Sequence, residues 1–69
     1  IYPNPATSYI NITSDREEES EIKIFDMTGR CVKNIIVNDL RNVTVNIDDL
    51  EKGIYVINIK GNNRKLVVE

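Results

Sequence analysis

Gly53-Ile54-Tyr55-Val56-Ile57-Asn58-Ile59-Lys60, followed by Gly61-Asn62-Asn63 and then Arg64-Lys65-Leu66-Val67-Val68-Glu69, is the stretch that decides the fold. Tyr55, Ile57 and Ile59 alternate with Val56 and Asn58, and Leu66 and Val68 alternate with Lys65, Val67 and Glu69. Successive side chains of a strand point to opposite faces. A period of two therefore places one face of each strand in a core and the other toward water. Gly61-Asn62-Asn63 reads as the turn of a hairpin. Chain ends usually fray unless they are tied down. Alternation carried through to Glu69 predicts an end built into the sheet, in a module at the tail of a longer protein. The missing initiator Met at Ile1 fits a fragment of a longer precursor.

The same period recurs upstream. Ile10 and Ile12, Ile22 and Ile24, and Val43, Val45 and Ile47 each alternate with polar neighbours. Val, Ile, Thr and Tyr suit a pleated, half-buried surface. Ala6 is the one alanine and no stripe of period 3.6 appears, so helices are not expected. Ser14-Asp15 and Glu17–Ser20, Thr28-Gly29-Arg30, Asn38–Asn42 and Asp48–Gly53 separate the runs. Gly29 is expected at positive φ in a tight turn between the second and third strands, and Leu50 is expected to tuck under the sheet. Short strands at roughly ten-residue spacing indicate an all-β, antiparallel sandwich or barrel of six or seven strands. Residues 1–69 read as one domain, with 1–6 as a lead-in turn. Pro3, Asn4 and Pro5 combine two fixed φ angles with a turn-forming side chain, which suits a stiff joint to an upstream domain.

Composition narrows the function. A 69-residue chain buries only about 60 % of its unfolded surface. A net charge of −2 gives no whole-chain reason to expect nucleic acid as a partner. No apolar run approaches the length of a membrane-spanning helix, and residues 1–69 hold no signal-peptide pattern. Histidine is absent, which removes the usual neutral-pH general base and the commonest metal ligand. The acidic pair Asp48-Asp49 and the acidic run Glu17–Glu19 lack the spacing of a calcium loop, and so small a sandwich has little room for a sugar-sized cleft between two carboxyls. No catalytic residue, metal or cofactor is expected. Cys31 stands alone, so no internal disulfide can form, and it reads as a small packing residue. Asp26 is placed to bond backbone amides two residues on. Charge is uneven: residues 15–26 carry a balance of −4 and residues 52–69 a balance of +3 in side chains. A basic terminal hairpin steers docking onto an acidic surface, or guards an edge strand from aggregation, and the two are compatible.

Three segments together carry a resemblance. They are Tyr2-Pro3-Asn4-Pro5-Ala6, then Ile22-Lys23-Ile24-Phe25-Asp26-Met27-Thr28-Gly29-Arg30-Cys31-Val32, then Val45–Ile57 with the closing Arg64-Lys65-Leu66-Val67-Val68. In this order and spacing the whole chain resembles the C-terminal sorting domain, type A, of cargo proteins of the type IX (Por) secretion system of Bacteroidetes. The resemblance implies an immunoglobulin-like β-sandwich of about seven short strands that performs no catalysis. It implies export of an upstream cargo domain through the periplasm and the outer-membrane translocon, removal of the domain by a sortase-like peptidase, and delivery to the cell surface or outside. The family's Gly-Tyr strand falls on Gly53 and Tyr55, its aspartate-turn-glycine on Asp26 and Gly29, and its basic, apolar end on Lys65, Leu66 and Val67. Where the family often closes on a basic residue, this chain has Glu69.

Gly53, Tyr55, Lys60, Arg64, Lys65, Leu66 and Val67 are thus the residues expected to serve translocon recognition, with Pro3, Asn4, Pro5, Asp26 and Gly29 as structural turns. Gly53 is expected to permit a bend or a close backbone approach, and Tyr55 to bury its ring while its hydroxyl finds a partner. The exposed edge is also a place for self-association. A competing reading is an extracellular adhesive or carbohydrate-binding module, for which the aromatics are only Tyr2, Tyr9, Phe25 and Tyr55.

Overall fold

The alternating β-branched runs form strands throughout the computed structural model, which describes residues 8–69. In chain order they are β1 (Tyr9–Thr13), β2 (Ser20–Phe25), β3 (Cys31–Val37), β4 (Asn42–Asn46), β5 (Gly53–Ile59) and β6 (Asn62–Val68). The described residues contain no helix. One sheet has the order β1-β4, the other β3-β2-β5-β6, and every pairing is antiparallel. This is the all-β antiparallel sandwich expected, with six strands among the described residues, close to the seven or so anticipated. Pro3, Asn4 and Pro5, and with them the lead-in turn 1–6, lie outside the described residues.

The core lies between the sheets. Ile10, Ile12, Val43 and Val45 face it from the smaller sheet, and Ile22, Ile24, Tyr55, Ile57, Leu66 and Val68 from the larger. Ile47 and Leu40 close it from loops, and Leu50 packs against it half-buried, as expected. Apolar area removed from water stabilises at about 25 cal/mol per Å², so these side chains supply most of the driving force. The Cα envelope measures 31 × 21 × 17 Å. β3 and β6 are the outer strands of the larger sheet, and Ile36 on β3 is largely exposed.

Two local expectations are corrected. The last turn is Lys60-Gly61, not Gly61-Asn62-Asn63. Asn62 already pairs with Ile59, and Asn63 with Asn58, whose Nδ2 donates to Asn63 Oδ1 at 2.8 Å. Two-residue hairpin loops with positive φ at both positions match the twist of the flanking strands. Lys60 and Gly61 have φ of 55° and 80°. Gly61 adopts this freely, whereas for Lys60 the left-handed region costs roughly 1 kcal/mol.

Cys31 is exposed rather than packed. The register shifts between Ile24 and Phe25, so Ile24 faces Lys33 while Phe25 faces Cys31. The extra residue of this bulge, Val32, packs against the core, and Cys31 is turned outward.

Candidate functional site

Asp26 ends β2 and organises the turn into β3. Its Oδ1 accepts from the Thr28 amide at 2.9 Å, the Thr28 hydroxyl at 2.6 Å and the Arg30 amide at 3.0 Å, and its Oδ2 from Arg30 Nε at 3.2 Å. Gly29 sits at φ 89° and donates its amide to the Asp26 carbonyl at 3.0 Å. Both residues thus hold the turn, as the sequence suggested. The Thr28 hydroxyl, then the Arg30 and Thr28 amides and the Arg30 charge, hold the Asp26 carboxyl below its ordinary value of 3.8. Asp39 is held down in the same way by Arg41, and Asp49 by Lys33, whose Nζ lies 3.0 Å from Asp49 Oδ1.

A carboxyl depressed in the folded state contributes stability that is complete above its unfolded value. That stability is lost as pH falls through the lower folded value. Urea melts should therefore show a falling midpoint below about pH 4. Asp26→Asn should lower the midpoint at pH 7, with the gap to wild type closing toward pH 2. An equal gap at both pH values would count against this origin.

The terminal hairpin divides the other expected residues among four settings. Tyr55, 7 % exposed, and Leu66, fully buried, lie in the core. The Tyr55 hydroxyl donates to the Glu51 carbonyl at 2.6 Å, which supplies the partner its burial calls for. Gly53 opens β5 with φ 157°. A Cβ added there would lie 3.9 Å from Tyr55 Cε1, an ordinary contact, so no close backbone approach occupies this position. Lys65 and Val67 pair with Val56 and Ile54, with their side chains on the face of the sheet opposite Leu66 and Val68.

Lys60 and Arg64 lie at one end of the sandwich. There they meet Arg16 and Glu18 from the β1–β2 loop, in a cleft of about 550 Å³ floored by Ile12, Leu40 and Ile59. Glu18 Oε1 lies 3.3 Å from Lys60 Nζ and 4.0 Å from an Arg16 guanidinium nitrogen. In the sequence Arg16 and Glu18 figure only within the acidic stretch 15–26, whose side chains balance at −4. No local pattern marks them, because only the folding of that loop against the last hairpin brings them to Lys60 and Arg64. Among the described residues no group of three or more His, Cys, Asp or Glu is placed to hold a metal ion.

The fold and its polar clusters define a small antiparallel sandwich module in which Asp26, Asp39, Asp49, Glu17, Glu18 and Glu21 are engaged in turns and surface ion pairs. The sequence model of the secretion-system C-terminal sorting domain matches residues 1–69. The chain belongs to that family, the type IX sorting domains carried by cargo proteins that are exported to the cell surface or extracellular space. It is similar to Beta-agarase A of Zobellia galactanivorans, with 34 % identity over 70 residues covering 100 % of this chain and 13 % of the agarase. It is also similar to Ulvan lyase NLR42 of Nonlabens ulvanivorans, with 27 % identity over 66 residues covering 96 % of this chain and 12 % of the lyase. The chain thus spans about an eighth of the length of these relatives. No solved structure matches it.

Proposed function

We propose that this domain is a folded export label with no reaction of its own. It directs an upstream cargo domain from the periplasm through the outer-membrane type IX translocon, and a sortase-like peptidase then removes it. The observation that carries this reading is the family match along all of residues 1–69. The structure supports a division of labour among the expected residues. Asp26 and Gly29 shape one turn, Gly53 opens β5, Tyr55 and Leu66 build the terminal hairpin into the core, and Lys60, Arg64, Lys65 and Val67 meet translocon components. Nothing in the net charge of −2 favours nucleic acid. The outer strand β3, with Ile36 exposed, is where two copies would associate edge to edge.

The carbohydrate-binding alternative gains no support from the described aromatics. Stacking on a sugar uses exposed ring faces, yet Tyr55 is buried, Phe25 is half-buried and only Tyr9, at 48 %, is well exposed.

The test is a neutral reporter carrying a signal peptide and ending in residues 1–69, expressed in a type IX-competent Bacteroidetes host and in a translocon-deficient strain. Reporter outside the cell only in the competent host is the expected result. Periplasmic retention in both strains, or equal release of reporter lacking the domain, would defeat the reading.

A further inference from the structure

The cleft at the hairpin end has more cation than its own acid can satisfy. Arg16 comes from the β1–β2 loop, Lys60 from the last turn and Arg64 from β6, and Glu18 is the one carboxylate lining the cleft with them. Glu18 uses one oxygen to reach both Lys60 and Arg16. Among the described residues Arg64 takes part in no ion pair. The neighbouring acids form no ion pair with these cations: Glu17 turns to Arg41 at 3.6 Å, Glu21 turns to Lys23 at 3.4 Å, and Glu19, in an adjoining shallow hollow that Lys60 also lines, forms no ion pair with it.

The two-residue turn of the last hairpin, which holds Lys60 at φ 55°, fixes that cation at the edge of the cleft. The floor of Ile12, Leu40 and Ile59 gives the ion pairs a partly apolar base, where charge attraction is stronger than in open water.

From these features we infer that the cleft is a carboxylate-binding site. It takes an acidic side chain from an extended peptide segment of the export partner, and Glu18 holds that place until the partner's carboxylate displaces it. The occupant is peptide rather than a phosphorylated headgroup because half-buried Ile59 and the polar Thr13, Ser14 and Asn62 line the cleft beside the cations. An acidic residue flanked by aliphatic ones meets both the cations and Ile59, whereas a bare phosphate meets only the cations. The inference rests on the sorting-label reading and deepens it.

The test uses the 69-residue chain and a capped five-residue peptide alternating Val and Glu, titrated by backbone amide NMR. The Gln-for-Glu peptide and inorganic phosphate serve as controls. Shifts should centre on Arg16, Lys60 and Arg64 and weaken with salt. Glu18→Gln should bind about threefold tighter, the size of one exposed ion pair. The double variant Lys60→Asn/Arg64→Gln, which leaves the core untouched, should bind about tenfold more weakly. A thermal melt of each variant confirms its fold.

Equal binding of the Gln peptide, unchanged affinity in Glu18→Gln, or phosphate binding as tight as the Glu peptide would each overturn the assignment. In the reporter assay the double variant should lower export. Undiminished export with a normal melt would overturn the cleft while leaving the sorting label standing. Failure of the wild-type reporter would strike the label itself, and the titration would still decide the cleft.

Discussion

Deleting Arg64–Glu69 from an exported fusion is expected to stop export outright, with the full-length fusion accumulating in the periplasm. The deletion removes all of β6 except Asn62 and Asn63, and with it Leu66 and Val68 from the core. Fully burying such a side chain contributes roughly 1.5–3 kcal/mol. A domain of this length has a total stability of only about 0.05–0.15 kcal/mol per residue. The loss therefore unfolds the domain as well as erasing any contact made by Arg64, Lys65 or Val67. Comparison with Lys60→Asn/Arg64→Gln, which alters the surface charge and leaves the core intact, separates the two effects. Normal surface display of the truncated cargo would show that this strand is dispensable to the label.

Leu66→Ala should be the most damaging single substitution of the hairpin. Leu66 is fully enclosed and sits opposite Tyr55 across the β5–β6 pair. Truncating a buried Leu to Ala costs about 2–5 kcal/mol, because the transfer energy is lost and a cavity remains. That is comparable with the whole stability of so small a sandwich, so a large unfolded fraction is expected at 37 °C. Val67, one residue along and on the opposite face, should tolerate the same change far better. Urea titration of Leu66→Ala and Val67→Ala checks both. A larger loss for Val67→Ala than for Leu66→Ala would mean that the register assigned to β6 is wrong, since a slip of one residue exchanges the faces.

Legibility in the sequence followed the range of the interactions. Alternation in Ile22-Lys23-Ile24 or Tyr55-Val56-Ile57 is local, and it correctly separated core from surface. The Asp26 turn was legible for the same reason, since its bonds reach only as far as Arg30. The last turn was misplaced because Asn62 and Asn63 are turn-favouring residues, while strand twist selects a two-residue loop and forces Lys60 into it. Cys31 was misassigned because a bulge changes the phase of a strand without leaving a mark in composition. Tyr55 and Leu66 entered the expected recognition set from the resemblance, and the structure places both in the interior. Lys60 and Arg64 were picked out by charge, but their grouping with Arg16 and Glu18 depends on a loop that lies close only in three dimensions.

The narrow cross-section of the module sets a condition on any pore through which the proposed label would travel. A pore whose clear bore is less than the 17 Å waist would admit this chain only as an unravelled thread. An opening broader than the 21 Å Cα width plus the side chains that project beyond it would let the module slip through intact and end-on, leaving the freight behind it to dictate the calibre.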